Sequence, residues 1–252
     1  MPLIGGKLGY RLLKFWAPGG DRVTLRDSIA YDGRNKLEVM LGARILRDVA
    51  GKVVVDFGCG PGEEAIELAR RGAERVIGVD IQERFLEMGR KRAQAEGLQE
   101  QVSFVSSLSE SADVVISIDA FEHFSDPAAI LRIVAGLLKE SGRFYASFGP
   151  TWYHPLGGHL FSVFPWSHLL FSESALIRWR SDFKNDGATR FHEVAGGLNQ
   201  MTIQRFEDLV AASPLEFEHF EAVPIRRLAR LHCRMNREFT TAIVRATLRH
   251  RS

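Results

Sequence analysis

Short apolar runs alternate with longer stretches of helical periodicity through the first half of the chain. The run Val53-Val54-Val55 is β-branched throughout and predicts a buried strand over 52–57. A helix follows over 63–71, stopped by Gly72, and a second strand over 75–80. Residues 82–96 read as a helix with Gly97 as its stop, 102–105 as a short third strand, and 113–118 as a fourth strand as apolar as the first. A helix over 126–139 has Pro127 in its first turn, and a Ser141-Gly142 turn leads into a fifth strand over 143–148. Ahead of these, Leu37, Met40, Leu41, Ile45, Leu46 and Val49 recur at helical spacing and predict one helix over 32–49, ended by Gly51. Strands alternating with helices predict a parallel sheet covered on both faces.

The alternation stops at Gly149. Residues 149–197 are crowded with aromatic and histidine side chains, among them Trp152, Tyr153, His154, His159, Trp166 and His168. An insertion of that size straight after a core strand predicts a lid or a substrate pocket. Phe161, Phe164, Trp166, Leu169, Leu170 and Phe171 either wall an apolar pocket or pack as helical core. The alternation resumes with a helix over 202–212 capped by Thr202, a strand over 216–222, a basic helical or looped stretch over 224–236 and a last strand over 238–247. Two adjacent final strands predict an antiparallel pair, which makes seven strands in all. The chain reads as one domain over 1–252, with an N-terminal cap segment over 1–31, a core over 32–148, the lid over 149–200 and the C-terminal part of the sheet over 201–252.

Composition narrows the class. The 252 residues carry a formal net charge of +2, too small for a general attraction to nucleic acid. The charge is uneven: between Arg226 and Arg251 there are eight arginines against the single acid Glu238. That is a solvated face or a surface for an acidic partner. Two cysteines, Cys59 and Cys233, make no disulfide framework, and the default is a reducing compartment, the cytoplasm. The start of the chain lacks the charged region and small-residue cleavage site of a secretory signal. Leu8, Leu12, Leu13, Phe15 and Trp16 interleave with Lys7, Arg11 and Lys14 up to Pro18-Gly19-Gly20. This predicts a short amphipathic helix, packed on the domain, laid over a bound ligand or set at a membrane surface. No apolar run is long enough to span a bilayer, and nothing in the pattern sets an oligomeric state.

The chemistry begins where the first strand ends. Asp56-Phe57-Gly58-Cys59-Gly60-Pro61-Gly62 joins that strand to the next helix. A strand, a glycine turn and a helix N-terminus together make a nucleotide-type site. A dinucleotide fingerprint needs a small residue where Glu63 stands, and the third glycine comes one residue early, at Gly62. A carboxylate at Asp56 also suits a cationic ligand better than a pyrophosphate. S-adenosylmethionine, with its sulfonium and ammonium groups, meets that demand. Cys59 is either a nucleophile or a small residue filling a tight turn.

The turn resembles the first motif, D/E-x-G-x-G-x-G, of the class I SAM-dependent methyltransferases, and Gly78-Val79-Asp80 resembles their second. The resemblance runs over about 32–148 and again, loosely, over 202–247. It implies a seven-stranded, mostly parallel, Rossmann-like α/β sheet with helices on both faces and an insertion after strand five. It also implies S-adenosyl-L-methionine as cofactor and S-adenosyl-L-homocysteine as product. The implied cofactor contacts come from Asp56, Gly58, Cys59, Gly60 and Gly62 in the turn, from Asp80 to both ribose hydroxyls, and from Ile81 beside it. A carboxylate accepts readily from a vicinal diol. Past the third strand many members carry an acid near the adenine amino group; here Ser106-Ser107 stand instead and offer a weaker contact.

The stretch from Ser117 to Pro127, with its ending Glu122-His123-x-x-Asp126-Pro127, resembles that family's fourth strand and following loop. The resemblance puts the backbone of Ile118 and Asp119 along the methionine end of the cofactor. Methyl transfer is an in-line displacement that needs an aligned nucleophile and, for a hydroxyl acceptor, a base. Glu122 and His123 are candidates by position. His154 and His159 join them, because a loop straight after the fifth strand opens where ligands sit in a parallel sheet. Asp119-x-x-Glu122-His123 is also similar to the metal-binding E-x-x-E-H of small-RNA 2′-O-methyltransferases and to a related pattern in ubiquinone-pathway O-methyltransferases. His192, or else His154 or His159, would complete a set for Mg²⁺ or another divalent ion, although no metal is expected. The expected function is SAM-dependent methyl transfer to an oxygen of a small hydrophobic or aromatic acceptor. An RNA 2′-O-methyltransferase with a metal site and an NAD-dependent oxidoreductase are the alternatives, and no N/D-P-P-Y motif follows the fourth strand.

Overall fold

The computed structural model describes residues 3–20, 35–194 and 196–251. The start of the predicted 32–49 helix and the boundary at 31/32 lie outside these residues. Period-two burial assigns the faces of the sheet. β1 (Val53–Phe57) sends Val54 into one core and Val55 into the other. β2 (Arg75–Val79) does the same with Val76 and Ile77, and β4 (Ala112–Ile118) with Val114 and Val115. Strands buried on both faces have no polar side, hence the unbroken apolar runs in the sequence. β1 pairs in parallel with β2 and β4, β2 with β3 (Val102–Val105), and β4 with β5 (Leu138–Phe148). β7 (Thr241–His250) runs antiparallel between β5 and β6 (Leu215–Pro224). The seven strands lie in the order β3-β2-β1-β4-β5-β7-β6, so the order reverses between β1 and β4.

One face carries α2 (Lys36–Leu41), α3 (Ile45–Asp48), α4 (Glu63–Arg70) and α5 (Glu83–Ala95). Their Leu37, Ile45, Ile66 and Leu86 are buried with Val54 and Ile116. The other face carries α6 (Pro127–Leu137) and α9 (Ile203–Ala211), whose Leu131 and Phe206 meet Val55 and Phe148. Burying one such side chain contributes about 1.5–3 kcal/mol. Side-chain caps start α2, α6 and α9: Asn35 accepts from Leu37 N, Asp126 from Ala129 N and Thr202 from Arg205 N.

Three boundaries depart from the sequence pattern. The single helix expected over 32–49 is two within its described part. Gly42 leaves the helical region at φ 87°, and its N–H closes on the Glu38 carbonyl. β5 starts at Leu138 rather than 143: Ala112 pairs with Leu138 and Val114 with Arg143, so the expected Ser141-Gly142 turn persists as a bulge inside the strand. The last strand starts at Thr241 because α10 (Arg237–Thr240) takes the residues before it, held by a two-pronged pair between Arg237 and Glu207.

The insertion builds a third core. It carries α7 (Ser167–Leu170) and α8 (Glu173–Arg180); α1 (Gly6–Trp16) lies against α8, and Leu13, Phe161, Phe171, Leu176 and Trp179 are buried together. The Trp179 indole N–H donates to the Ala17 carbonyl at 2.8 Å. The amphipathic N-terminal helix is therefore packed on the insertion, and Phe161 and Phe171 are core. Among the described residues no helix is long and apolar enough to cross a membrane.

Candidate functional site

The glycine turn after β1 and the loop after β4 leave the sheet side by side, at the carboxyl edge where strand order reverses. In the turn, Gly58 N and Cys59 N both donate to the Val79 carbonyl, at 2.8 and 3.0 Å. Gly60 N donates to Asp80 Oδ2 at 3.0 Å and Gln82 N to Oδ1 at 2.8 Å, which fixes the carboxylate at the end of β2. Ile81 beside it is 92% exposed. The glycines have different reasons. At Gly62, φ 77°, a Cβ would overlap the Phe104 ring, so this glycine is required by packing. At Gly60, φ 49°, a Cβ would meet nothing within 4 Å, so its backbone is bare on one side.

Cys59 is buried, with its Sγ 3.6 Å from the Gly60 carbonyl, and burial pushes the thiol far above its usual range. It fills the turn and is no nucleophile. Asp56 is buried too, and its Oδ2 has no hydrogen-bond partner. Burial first, then the neighbouring Glu64, push its carboxyl well above the ordinary range. Burial thus favours the protonated acid over the anionic form that the sequence suggested. A cation brought close would draw the proton off.

Asp119 opens the loop after β4 at φ 51°, its N–H donating to the Ser147 carbonyl at 2.9 Å. Its Oδ1 is buried without a partner, and its Oδ2 lies 3.8 Å from Lys36 Nζ, which also pairs with Glu64 at 2.5 Å. Burial raises the Asp119 carboxyl to about 6, against the pull of Lys36. Glu122 is buried; burial, then the charge of Asp119, push its carboxyl up to about 8. Asn199 pins this loop. Its N–H donates to the Glu122 carbonyl at 2.9 Å and its Nδ2 to the Phe121 and Phe124 carbonyls at 2.6 and 2.8 Å. His123 Nδ1 is 2.8 Å from the Gly197 carbonyl. A carbonyl only accepts, so Nδ1 carries the proton and Nε2 holds the lone pair.

His123 faces His159, with ring centroids 5.4 Å apart. A cavity of about 90 Å³ is lined by both and by Leu160, Phe161, Arg180 and Leu198. His159 sits at φ 50° with its Nε2 buried and unpartnered. Burial, then the neighbouring His123, lower its pKa to about 3, so the ring is neutral. Arg180 is buried with its guanidinium on both Asp186 oxygens, at 2.6 and 2.5 Å, and its Nε has no partner. Two orphaned nitrogens beside apolar walls suit a ligand with an oxygen on a hydrophobic body.

The structure does not bring His154 to this cavity. Its Nδ1 accepts from Leu156 N at 2.9 Å, and burial lowers its pKa to about 4. His168 uses both ring nitrogens, at 2.7 Å from the Trp152 carbonyl and 3.2 Å from Ser162 Oγ. His192 is exposed and beside Glu193. Among the described residues no group of three or more His, Cys, Asp or Glu could hold a metal ion. Lys36, Arg180 and Asn199 escaped the sequence reading. A lysine in the first turn of a helix opposes the helix dipole, and that was the one available signal for Lys36.

Residues 55–146 match the family model of the methyltransferase domain. Over 141 residues the chain is 37% identical to the ubiquinone biosynthesis O-methyltransferase of Neisseria meningitidis serogroup C (strain 053442), covering 53% of this chain and 56% of that one. It is 34% identical over 95 residues to the ribosomal protein L11 methyltransferase of Serratia proteamaculans (strain 568), covering 38% of this chain and 32% of that one. The chain spans about half the length, or less, of the curated relatives it matches. An S-adenosylmethionine dependent methyltransferase from Mesorhizobium loti superposes on 88% of this chain and 100% of its own length, with TM-score 0.54 and 18% identity, a likeness of fold.

Proposed function

We propose that this chain, whose residues 55–146 belong to the methyltransferase domain family, methylates an oxygen of a small apolar or aromatic acceptor with S-adenosylmethionine. The observation that carries this reading is the convergence, at one edge of the sheet, of a bare Gly60 backbone and a cavity walled by two imidazoles. The residues fit the cofactor. Asp80 keeps acceptor lone pairs beyond its two backbone bonds for a ribose diol. Ile81 offers an apolar face for adenine, and the orphaned Asp119 oxygen an acceptor for an ammonium group. Bound there, S-adenosylmethionine supplies an electrophilic methyl group.

The rest is done by the chain. His123 takes the acceptor's proton at Nε2, in the tautomer that Gly197 enforces. His159, neutral throughout the physiological range, orients the hydroxyl through its unpartnered Nε2. Glu122 is largely protonated at neutral pH and shapes the loop instead of accepting the proton. Phenolic acceptors are the first to try, since the quinone-pathway relative is an O-methyltransferase by name.

Calorimetry against S-adenosylmethionine, S-adenosylhomocysteine and NAD tests the first half. The first two bind, NAD does not, and Asp80→Ala weakens binding about ten-fold or more. A panel of phenolic, quinone-precursor, lipid-linked and sugar acceptors in a homocysteine-release assay tests the second. No S-adenosylmethionine binding, with Asp80→Ala indifferent, overturns the reading.

A further inference from the structure

Two exposed apolar segments stand near the candidate site. On α1, Leu8 and Phe15 lie one above the other on the outward side, Phe15 80% exposed, with Lys7 and Arg11 alongside. In the connection from β6 to β7, Leu231 and Met235 point into solvent, Met235 96% exposed, among Arg227, Arg230 and Arg234. None of these three guanidinium groups has an ion pair among the described residues. Phe148 pairs with Val244, so this connection emerges at the carboxyl edge that holds the site. A ridge joins the two segments. Trp16 meets Phe164 edge-on at 5.3 Å, the Trp166 indole donates to the Tyr153 carbonyl at 2.9 Å, and Tyr153 lies 5.3 Å from Phe239. Trp16, Trp166, Tyr153 and Phe239 are all partly exposed.

Indole and phenol rings, arginines and bare aliphatic side chains on one rim have the chemistry of a bilayer interface. The rings sit at headgroup depth, the aliphatic chains enter the acyl boundary, and the cations meet lipid phosphates. A partner that offered phosphates alone would leave Leu231, Met235 and Phe15 in water. We infer that this rim docks on an anionic lipid surface. The inference stands apart from the methyl-transfer reading, because docking is measured without cofactor or acceptor.

The test is flotation of the full chain with vesicles of phosphatidylcholine, alone or with one-third phosphatidylglycerol, at low and high salt. The chain floats with the anionic vesicles at low salt, is released by high salt, and stays behind with phosphatidylcholine alone. Arg230→Gln with Arg234→Gln lowers partitioning about 25-fold, from about 5-fold per charge removed. Leu231→Asp with Met235→Asp abolishes flotation, while circular-dichroism melting and S-adenosylmethionine binding are unchanged in both pairs. Absence from the anionic vesicles overturns the inference, as does flotation indifferent to both pairs. So does a dimer in sedimentation that Met235→Asp dissociates, or tighter binding to RNA that survives Leu231→Asp with Met235→Asp.

Discussion

The two halves of the site are built differently. The glycine turn is made of backbone: Gly58, Cys59 and Gly60 N–H groups, one carboxylate, and a bare face at Gly60, all within 25 residues of sequence from Asp56 to Asp80. The acceptor side is made of side chains from distant segments. His123 comes from the loop after β4, His159 and Arg180 from the insertion, and Gly197 and Asn199 from the approach to α9. A rigid backbone cradle suits the proposed cofactor, whose shape does not change from one acceptor to the next. A side-chain cavity can be rebuilt one residue at a time, which suits the part that chooses the acceptor.

The strongest way to break this division is His123→Ala. Turnover should fall by about 10²–10⁴, the usual share of a general base, with S-adenosylmethionine affinity unchanged in calorimetry. A parallel loss of cofactor affinity would show that the two halves are one. His123→Asn, whose Nδ2 takes the place of Nδ1, keeps the Gly197 contact without a base and should be as inactive.

The same contrast governs what could be read in advance. Val53 to Gly62 is contiguous, and β-branched residues and glycines have local meanings, so the strand, the turn and Asp80 were legible. The order of apolar runs and helical stretches carried the seven strands. The 32–49 stretch misled because Leu37 to Val49 keep helical spacing across Gly42, which ends the first helix. Nothing local marks Asn199 as the pin of a loop 75 residues upstream, or Arg180 as a cavity wall. Histidines in the insertion looked alike, and only their partners separate His159, with an orphaned nitrogen, from His168, with none.

Titration sharpens the comparison on the acceptor side. Folded, Glu122 keeps its proton up to about pH 8; unfolded, it loses it near its ordinary 4.5. The folded chain holds more protons between those values, so this stability is whole below 4.5 and is lost as pH rises towards 8. His159 works the other way. Its folded pKa is about 3 against an ordinary 6.5, so its contribution is whole above 6.5 and is lost as pH falls towards 3. Glu122→Gln should flatten the alkaline limb, raising stability at pH 8 by about 4 kcal/mol, and leave the acid limb in place. Urea titrations from pH 4 to pH 8 measure both; an unchanged alkaline limb would place the pKa of Glu122 near normal.

The smallest expected effects separate two glycines two residues apart. Gly62→Ala pushes a methyl group into the Phe104 ring, and it should cost about 1–3 kcal/mol of stability in urea unfolding. Phe104→Leu, by making room, should recover part of that loss in the double variant. Gly60→Ala meets no neighbour, so its cost is only that of a left-handed alanine, about 1 kcal/mol. Its methyl group does project from the face proposed to carry the cofactor, and calorimetry should show a weaker S-adenosylmethionine complex out of proportion to that small destabilisation. If Gly60→Ala binds as tightly as the parent chain, the bare face lies away from the ligand, and the cradle must be drawn around Asp80 and Asp119 alone.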